Sequence, residues 1–177
     1  MKSFLNMGAE WSQECLKFAA QIGVDGVVAM PNPPDPNPGF YDIETLVELR
    51  TCVESFDLEF YGIRLLPWKW TYKWQLGLPG REEQLENMCE TVRNIGRAGI
   101  PILGYHFMPA GVWRTSETTP IRGGAQTTSF NIELAKNAPL LAGREVPDEQ
   151  MWENYDWYLD RILPICEEAG VRFALHP

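Results

Sequence analysis

The chain has 177 residues, of which 45% are hydrophobic and 22% are charged, and its formal net charge is −9 at pH 7. This composition is ordinary for a globular domain with a proper core. The acidic balance and the scattered Lys and Arg residues argue against nucleic acid and against an anionic membrane surface as partners. Because no apolar run approaches roughly 20 residues and no signal-peptide pattern is seen, we expect a cytoplasmic protein.

Strand-like and helical segments alternate along the chain. A weak strand at Phe4–Met7 comes first, and four amphipathic helices are then predicted, each followed by a short apolar strand. A Gly or Asp ends each helix before the strand begins, as in "QIGVDGVVAM", "ESFDLEFYGIRLL", "GRAGIPILGYHF" and "EEAGVRFALHP". The predicted helices span residues 12–22, 43–56, 82–97 and 147–169.

The order βαβαβαβαβ indicates an α/β protein with a parallel sheet, because its strands are nearly continuous apolar runs. Two architectures compete: a doubly wound open sheet of five strands, and a TIM barrel, which needs about 250 residues. The chain stops directly after its last strand and has no Gly-rich turn after its first. We therefore predict a partial TIM barrel of about five of the eight strands. Residues 1–177 would be the N-terminal part of one (β/α)8-barrel domain, with its C-terminal strands missing.

Four cysteines stand alone, and no two have the short spacing of a zinc knuckle or a redox motif. Most of them fall on the apolar stripes of the predicted helices, so we expect reduced thiols packed in the core. They are Cys15, Cys52, Cys89 and Cys166.

Long segments follow the predicted strands at their carboxyl ends, where function gathers in such folds. They cover residues 31–42, 67–80 and 108–146, and their aromatic, cationic and hydroxyl residues suit a polyol or a sugar acid. The stretch "PWKWTYKW" within 67–80 resembles a stacking platform for nucleic acid. The acidic charge of the chain favours a lid or packing against a partner subunit instead.

Four residues are candidates for the site. His176 and His106 stand at strand ends, where an imidazole can bind a metal or transfer a proton. The alternatives are a hydrogen-bonded strand-end histidine for His176 and an outward-facing side chain for His106. Arg114 can grip a carboxylate with two parallel hydrogen bonds, and Trp113 can cover a sugar face. A surface arginine and a packing tryptophan are the alternatives there.

Two stretches, "RNIGRAGIPILGYHFMPAGVWRT" and "YLDRILPICEEAGVRFALHP", resemble the mannonate dehydratase family of the xylose-isomerase-like TIM-barrel superfamily. The resemblance implies removal of water from D-mannonate to give 2-keto-3-deoxygluconate in hexuronate catabolism. It also implies a divalent metal, usually Mn²⁺, held by His176 and by ligands from later strands. The catalytic residues are expected beyond residue 177, so we expect the chain alone to be inactive. A homo-oligomer is expected.

The sequence departs from the family pattern at three places. The family usually has Asn at the position of His106, and its third strand normally ends in an acidic residue, where this chain reads "GIRLLPWKW". The family's Phe-Asp is Phe130-Asn131 here. Another sugar acid as substrate, a sugar or sugar-phosphate isomerase or epimerase of the same superfamily, and a non-catalytic half-barrel that binds or assembles stay open.

Overall fold

A computed structural model describes residues 1–8, 12–34, 37–109, 111–138 and 145–176 of the chain. Helices and strands alternate through most of it, and two short 3₁₀ helices lie at Trp68–Trp70 and Arg122–Gly124. The elements in chain order are β1 Phe4–Met7, α1 Gln13–Gln21, β2 Gly26–Ala29, α2 Ile43–Glu54, β3 Glu59–Ile63, α3 Tyr72–Leu76, α4 Arg81–Arg97, β4 Ile102–Tyr105, β5 Ser116–Pro120, β6 Gln126–Ser129, α5 Ile132–Ala135, α6 Asp148–Ala169 and β7 Arg172–Leu175.

Five of the strands form one parallel sheet in the order β1-β2-β3-β4-β7, so each strand lies beside the next one along the chain. A doubly wound sheet must reverse its strand order at some point, and this sheet does not. Right-handed crossovers in one constant direction place every connecting helix on the same face, as in a barrel. The prediction of a partial barrel is confirmed, and within the described residues the sheet stays open.

Local signals set the helix boundaries close to the predicted ones. The side chain of Ser12 accepts a hydrogen bond from the backbone N–H of Cys15, and Asp42 caps α2 by accepting one from Thr45 at 2.7 Å. Gly170 ends α6 in the left-handed conformation, with a φ of 67°, and β7 begins two residues later. No helix among the described residues is long and apolar enough to cross a membrane.

The two faces of the sheet differ in burial. On the face covered by the helices, here called the outer face, Val27, Ile63 and Leu103 are fully buried in the hydrophobic core. The opposite or inner face is the one that a complete barrel encloses, and its side chains are half-buried or exposed. The inner face includes Phe4, Val28, Tyr61, Ile102, Arg172 and Ala174. The core therefore lies between the sheet and the helices.

Glycines on the inner face allow neighbouring strands to approach each other closely. A Cβ atom added at Gly104 would lie 2.0 Å from the carbonyl oxygen of Arg64, and one added at Gly26 would lie 2.2 Å from that of Glu59. Such distances are shorter than any van der Waals contact, so a larger residue would push the neighbouring strands apart. The small residues on the inner face thus fit a sheet that curls toward that side.

Two segments predicted as long loops contain regular structure. The segment 67–80 holds α3 and a 3₁₀ helix, and its Trp70 and Trp74 are buried. The ring of Trp74 stacks on Tyr158 of α6 at 3.9 Å, and the indole N–H of Trp70 donates to the Oδ1 atom of Asn37. The interpretation of this segment as a lid or subunit contact is therefore wrong for these two tryptophans, which pack in the core of their own chain.

The segment 108–146 contains an antiparallel hairpin of β5 and β6, followed by α5. The hairpin was not predicted, because its strands read "SETTP" and "QTTS" and carry no apolar alternation. Residues 110 and 139–144 of this segment lie outside the described residues.

All four cysteines are free thiols, as predicted. Cys89 and Cys166 are buried, and burial raises the pKa of Cys89 to about 11 and that of Cys166 to about 12. Cys15 and Cys52 are half-buried beside the core. The pKa of Cys15 is lowered by its hydrogen bonds with Ser12.

We predict that an aromatic disulfide reagent at pH 8 modifies Cys15 and Cys52 rapidly and leaves Cys89 and Cys166 unmodified until the protein unfolds. The thiolate is the reactive form, and the two buried thiols form it only at much higher pH. Counting released thiol before and after adding denaturant measures both classes. Cys15→Ser should remove one rapid equivalent, and rapid modification of all four thiols would contradict the core packing.

We predict that Gly104→Ala lowers the free energy of unfolding by about 1–3 kcal/mol, because the new methyl group overpacks against the backbone of Arg64. Urea unfolding followed by circular dichroism measures the change. Gly8→Ala is the matched control, since a Cβ atom there meets no atom within 4 Å. Equal stability of the two variants would contradict the close approach of β3 and β4.

Candidate functional site

The two histidines of the chain come together at the carboxyl ends of neighbouring strands. β4 and β7 pair in parallel with Tyr105 opposite Leu175, so His106 and His176 follow at the same level. The backbone N–H of His176 donates to the carbonyl oxygen of Tyr105 at 2.7 Å, which continues the pairing past the last strand residue. The two candidates therefore lie side by side, as parallel strand ends do.

Side chains alternate between the two faces of the sheet along β4, so His106 lies on the opposite face from Tyr105 and Phe107. Tyr105 faces the helices, where its ring stacks on Phe173 at 3.9 Å and its hydroxyl bonds to that of Tyr155 at 2.9 Å. Phe107 packs on Tyr155 and Trp74 on the same side. His106 lies between these two residues and so belongs to the inner face, the orientation considered from the sequence.

Burial lowers the pKa of His106 below its ordinary value, and the nearby charges of His176 and Arg64 act in the same direction. At neutral pH the His106 side chain is therefore mainly the neutral imidazole. A neutral imidazole offers one N–H donor and one acceptor nitrogen.

Arg64 is a third member of this group, and it was not among the residues singled out from the sequence. Its backbone N–H donates to the carbonyl oxygen of Ala29 at 2.8 Å, just beyond the last residue of β3. Ile63 pairs with Leu103, so Arg64 lies beside Gly104, one level below His106. We call Arg64, His106 and His176 the strand-end cluster.

A β-bulge explains why Arg64 was missed. The register between β2 and β3 shifts between Val27 and Val28, where Phe60 and Gly62 are the paired residues. Simple alternation from the buried Phe60 would turn Arg64 toward the helices. The extra residue in β3 shifts the alternation of side chains by one position, so Arg64 lies on the inner face instead. Only the pairing of the neighbouring strand carries that information.

Trp113 and Arg114 lie at the base of the hairpin. Trp113 is 45% exposed and packs edge to face on Phe130 at 5.9 Å. The guanidinium of Arg114 donates to the carbonyl oxygen of Trp113 and to the hydroxyl of Thr128. Within the described part of the chain, none of these contacts reaches the strand-end cluster. Their role in substrate binding stays a prediction.

A cavity of about 370 Å³ borders His176 on the helix side of the sheet. It is mainly apolar, and its other walls come from the segment after β4, from α6 and from β7. These residues are Phe107, Met108, Met151, Trp152, Tyr155 and Leu175. His176, which is exposed, lines this cavity and also lies beside His106 at the end of the neighbouring strand.

The described residues do not fit a divalent metal ion. Within residues 1–8, 12–34, 37–109, 111–138 and 145–176, no group of three or more His, Cys, Asp or Glu side chains is placed to hold one. The strand-end cluster offers two imidazoles and a guanidinium, which carries a permanent positive charge and has no acceptor. Hard divalent ions prefer several oxygen or nitrogen ligands in a defined geometry.

A buried glutamine fixes the segment that follows His106. The Oε1 atom of Gln75 accepts a hydrogen bond from the backbone N–H of Met108 at 2.9 Å, and its Nε2 atom donates to Thr71. Asn154 of α6 in turn donates to the backbone carbonyl of Gln75. Gln75 is fully buried, so these bonds tie the end of β4 to the layer of helices.

An open parallel sheet in sequential order, with polar side chains at its carboxyl ends, is the arrangement of a (β/α)-barrel protein. The chain belongs to the D-mannonate dehydratase family, since the family model described as "D-mannonate dehydratase (UxuA)" matches residues 2–139 and 133–177.

Individual relatives agree with this assignment. The chain is 30% identical over 162 residues to mannonate dehydratase from Streptococcus pneumoniae, covering 77% of this chain and 44% of the relative. It is 29% identical over 169 residues to that from Thermotoga petrophila, covering 77% and 46%. The chain therefore spans about half the length of the curated relatives it matches.

Solved structures show the same scaffold. The crystal structure of mannonate dehydratase from Streptococcus suis serotype 2 superposes with a TM-score of 0.82 at 27% identity, covering 100% of this chain and 53% of that one. D-psicose 3-epimerase from Clostridium cellulolyticum H10 gives a TM-score of 0.61 at 14% identity, covering 99% of this chain and 52% of that one. The second likeness shows the fold alone.

We predict that Gln75→Met, which keeps the length of the side chain, lowers the free energy of unfolding by about 1–3 kcal/mol. The variant leaves the N–H of Met108 without its acceptor, and unpaired buried polar groups cost about that much. Urea unfolding measures the change. Gln126→Met, on the exposed hairpin, should shift stability by less than about 0.5 kcal/mol. Equal effects would contradict the role of Gln75.

Proposed function

We propose that this chain supplies part of the active site of a sugar-acid dehydratase, a hydro-lyase that acts on D-mannonate or a close relative. The observation that carries the proposal is the family match, which extends along the chain through the strand ends where the cluster lies. The family's activity comes to this chain as a proposal, because the chain spans about half of its relatives. The setting we propose is hexuronate catabolism in the cytoplasm.

The reaction defines what the site must do. A base removes the proton from the carbon next to the carboxylate, and a hydroxide leaves from the following carbon with a proton, as water. The resulting enol becomes the 2-keto-3-deoxy acid. Negative charge develops on the carboxylate side during proton removal, and fixed donors or cations stabilise it best. The strand-end cluster provides positive charge and N–H donors of this kind, whereas we propose that the base lies outside this chain.

His106, Trp113 and Arg114 are proposed to contact the sugar acid. His106 is best supported, because it belongs to the inner face beside two other polar groups at the strand ends. Trp113 and Arg114 lie at the base of the hairpin that follows β4, and their described contacts stay within that segment.

His176 is proposed as one ligand of a divalent metal, Mn²⁺ being the expected ion. The residues described here do not fit that ion by themselves. The remaining ligands would have to come from outside this chain, so we derive no step of the reaction through the metal. The chain by itself should then neither bind Mn²⁺ tightly nor turn over substrate.

Self-association is a further part of the proposal. β1 and β7 are the edges of the sheet, and each pairs with one strand among the described residues. Unpaired parallel edges attract further strands, so a homo-oligomer is expected.

The assignment of residues 1–177 to one part of a single barrel domain also stays a prediction.

We predict that the chain alone gives no 2-keto-3-deoxy product from D-mannonate with Mn²⁺, and that mixing it with the C-terminal half of the Streptococcus suis relative restores turnover. The added half would supply the missing ligands and the base. Product formation is followed colorimetrically. His176→Ala should lower the turnover of the mixture by about 100-fold or more, because even losing a residue that only orients a metal ligand costs roughly 10–100-fold.

The matched control is the Streptococcus suis enzyme divided at the equivalent position. If its two halves reassemble actively and the mixed pair binds together but stays inactive, the dehydratase proposal fails. Conversion of a ketose to its epimer by the mixed pair would support the epimerase alternative. Turnover of D-mannonate by the chain alone would contradict the statement that its site is incomplete.

A further inference from the structure

The strand-end cluster contains positive charge that the described residues leave uncompensated. Arg64 is half-buried, yet no ion pair or side-chain hydrogen bond connects it to another described residue, while Arg50, Arg81 and Arg93 all pair with glutamates. A half-buried guanidinium without an acceptor loses hydration and gains little in return. An arginine in this situation favours an anion that arrives from outside.

We propose that Arg64, His106 and His176 form a binding site for a carboxylate, with Arg64 as the principal ligand. The proposal rests on the proposed function only for the choice of D-mannonate as the anion. The guanidinium presents parallel N–H donors that match the two oxygens of a carboxylate. His106 adds an N–H donor from the neighbouring strand, and in the chain without a metal His176 adds another from the strand beyond.

The position between Arg64 and His106 on the inner face carries no side chain. It is occupied by Gly104, the lateral neighbour of Arg64 on β4, where the backbones approach so closely that a Cβ atom would lie 2.0 Å from the carbonyl oxygen of Arg64. The electrostatic effect of Arg64 on His106 is in keeping with their proximity. A carboxylate bound there would sit at the ends of β3 and β4, and the rest of a sugar acid would extend toward β7 and His176.

Arg64 argues against a cation at the ends of β3 and β4. A guanidinium repels a metal ion, and no group of three or more His, Cys, Asp or Glu side chains among the described residues is placed to hold one. A metal held by His176 would therefore lie on the β7 side of the cluster, away from Arg64. The inner face beside Arg64 favours negative charge without a protonated imidazole, because a guanidinium carries a permanent positive charge.

The chain has only two histidines, and both belong to the cluster. Imidazole proton signals in one-dimensional NMR therefore report on this site alone, at a fixed pH of 7.5. Titration with D-mannonate should shift both signals in a saturable manner, whereas D-mannitol, a neutral polyol of the same length, should leave them unchanged. His106→Gln assigns the two signals by removing one.

Arg64→Gln should weaken D-mannonate binding by about tenfold or more, because it removes a charge-assisted pair of hydrogen bonds. Arg122→Gln, at the exposed hairpin tip, is the matched control and should bind like the unchanged chain. If Arg64→Gln does not fold, Arg64→Lys keeps the charge without the fork and should bind more weakly than the unchanged chain.

Equal affinity of the Arg64 and Arg122 variants would overturn the proposal, and so would equal shifts with D-mannitol. Tighter binding of inorganic phosphate than of D-mannonate would overturn the assignment to a carboxylate. The turnover of the mixed halves is independent of these titrations. If the mixed halves are active but D-mannonate does not shift the imidazole signals, the dehydratase proposal holds and this carboxylate site is rejected. If D-mannonate shifts the signals saturably but the mixed halves are inactive, the carboxylate site holds and the dehydratase proposal is rejected.

Discussion

The parallel pairing of β4 with β7 is the constraint on which the candidate site depends. The hydrogen bond from the N–H of His176 to the carbonyl oxygen of Tyr105 continues that pairing by one residue and aligns the two imidazoles. Parallel strands in sequential order also bring every carboxyl end to one edge of the sheet. Residues separated by 42 to 112 positions in the chain thus meet there without any direct bond between their side chains.

The opposite end of the inner face has a different character. Phe4 stacks on Tyr61 at 4.1 Å, and the guanidinium of Arg172 donates to the hydroxyl of Tyr61 at 2.8 Å. These three residues connect β1, β3 and β7 across the inner face at its amino end. The Arg172 guanidinium thus has an acceptor and an aromatic ring beside it, and solvent hydrates the rest of it because Arg172 is exposed, so this end acts as a stabilising layer. Arg64, at the carboxyl end, is half-buried and has no such partner among the described residues.

The sequence predicted most of the fold, because its strongest signals are the apolar stripes of α1, α2, α4 and α6 and the residues that end them, a glycine after α1, α4 and α6 and Asp57 after α2. It also predicted that His106 and His176 stand at strand ends, because β4 and β7 are regular strands whose side chains alternate between the two faces. Other features depend on pairing or packing between distant segments. The bulge in β3 changes the face on which Arg64 lies, and Trp74 packs in the core against Tyr158 of α6 and Phe107. No local pattern carries either fact.

The balance of charge at the strand ends has a consequence for specificity. One departure from the family pattern noted in the sequence is the lack of an acidic residue at the end of the third strand, and Arg64 stands in that region. An acidic side chain beside His106 would repel a substrate carboxylate, whereas a guanidinium attracts it at the same place. A polyol that lacks the carboxylate would leave Arg64 without an acceptor in a half-buried position, and such unpaired groups reject a ligand more strongly than a missing methylene does. The strand-end cluster would therefore separate sugar acids from neutral sugars by charge rather than by shape.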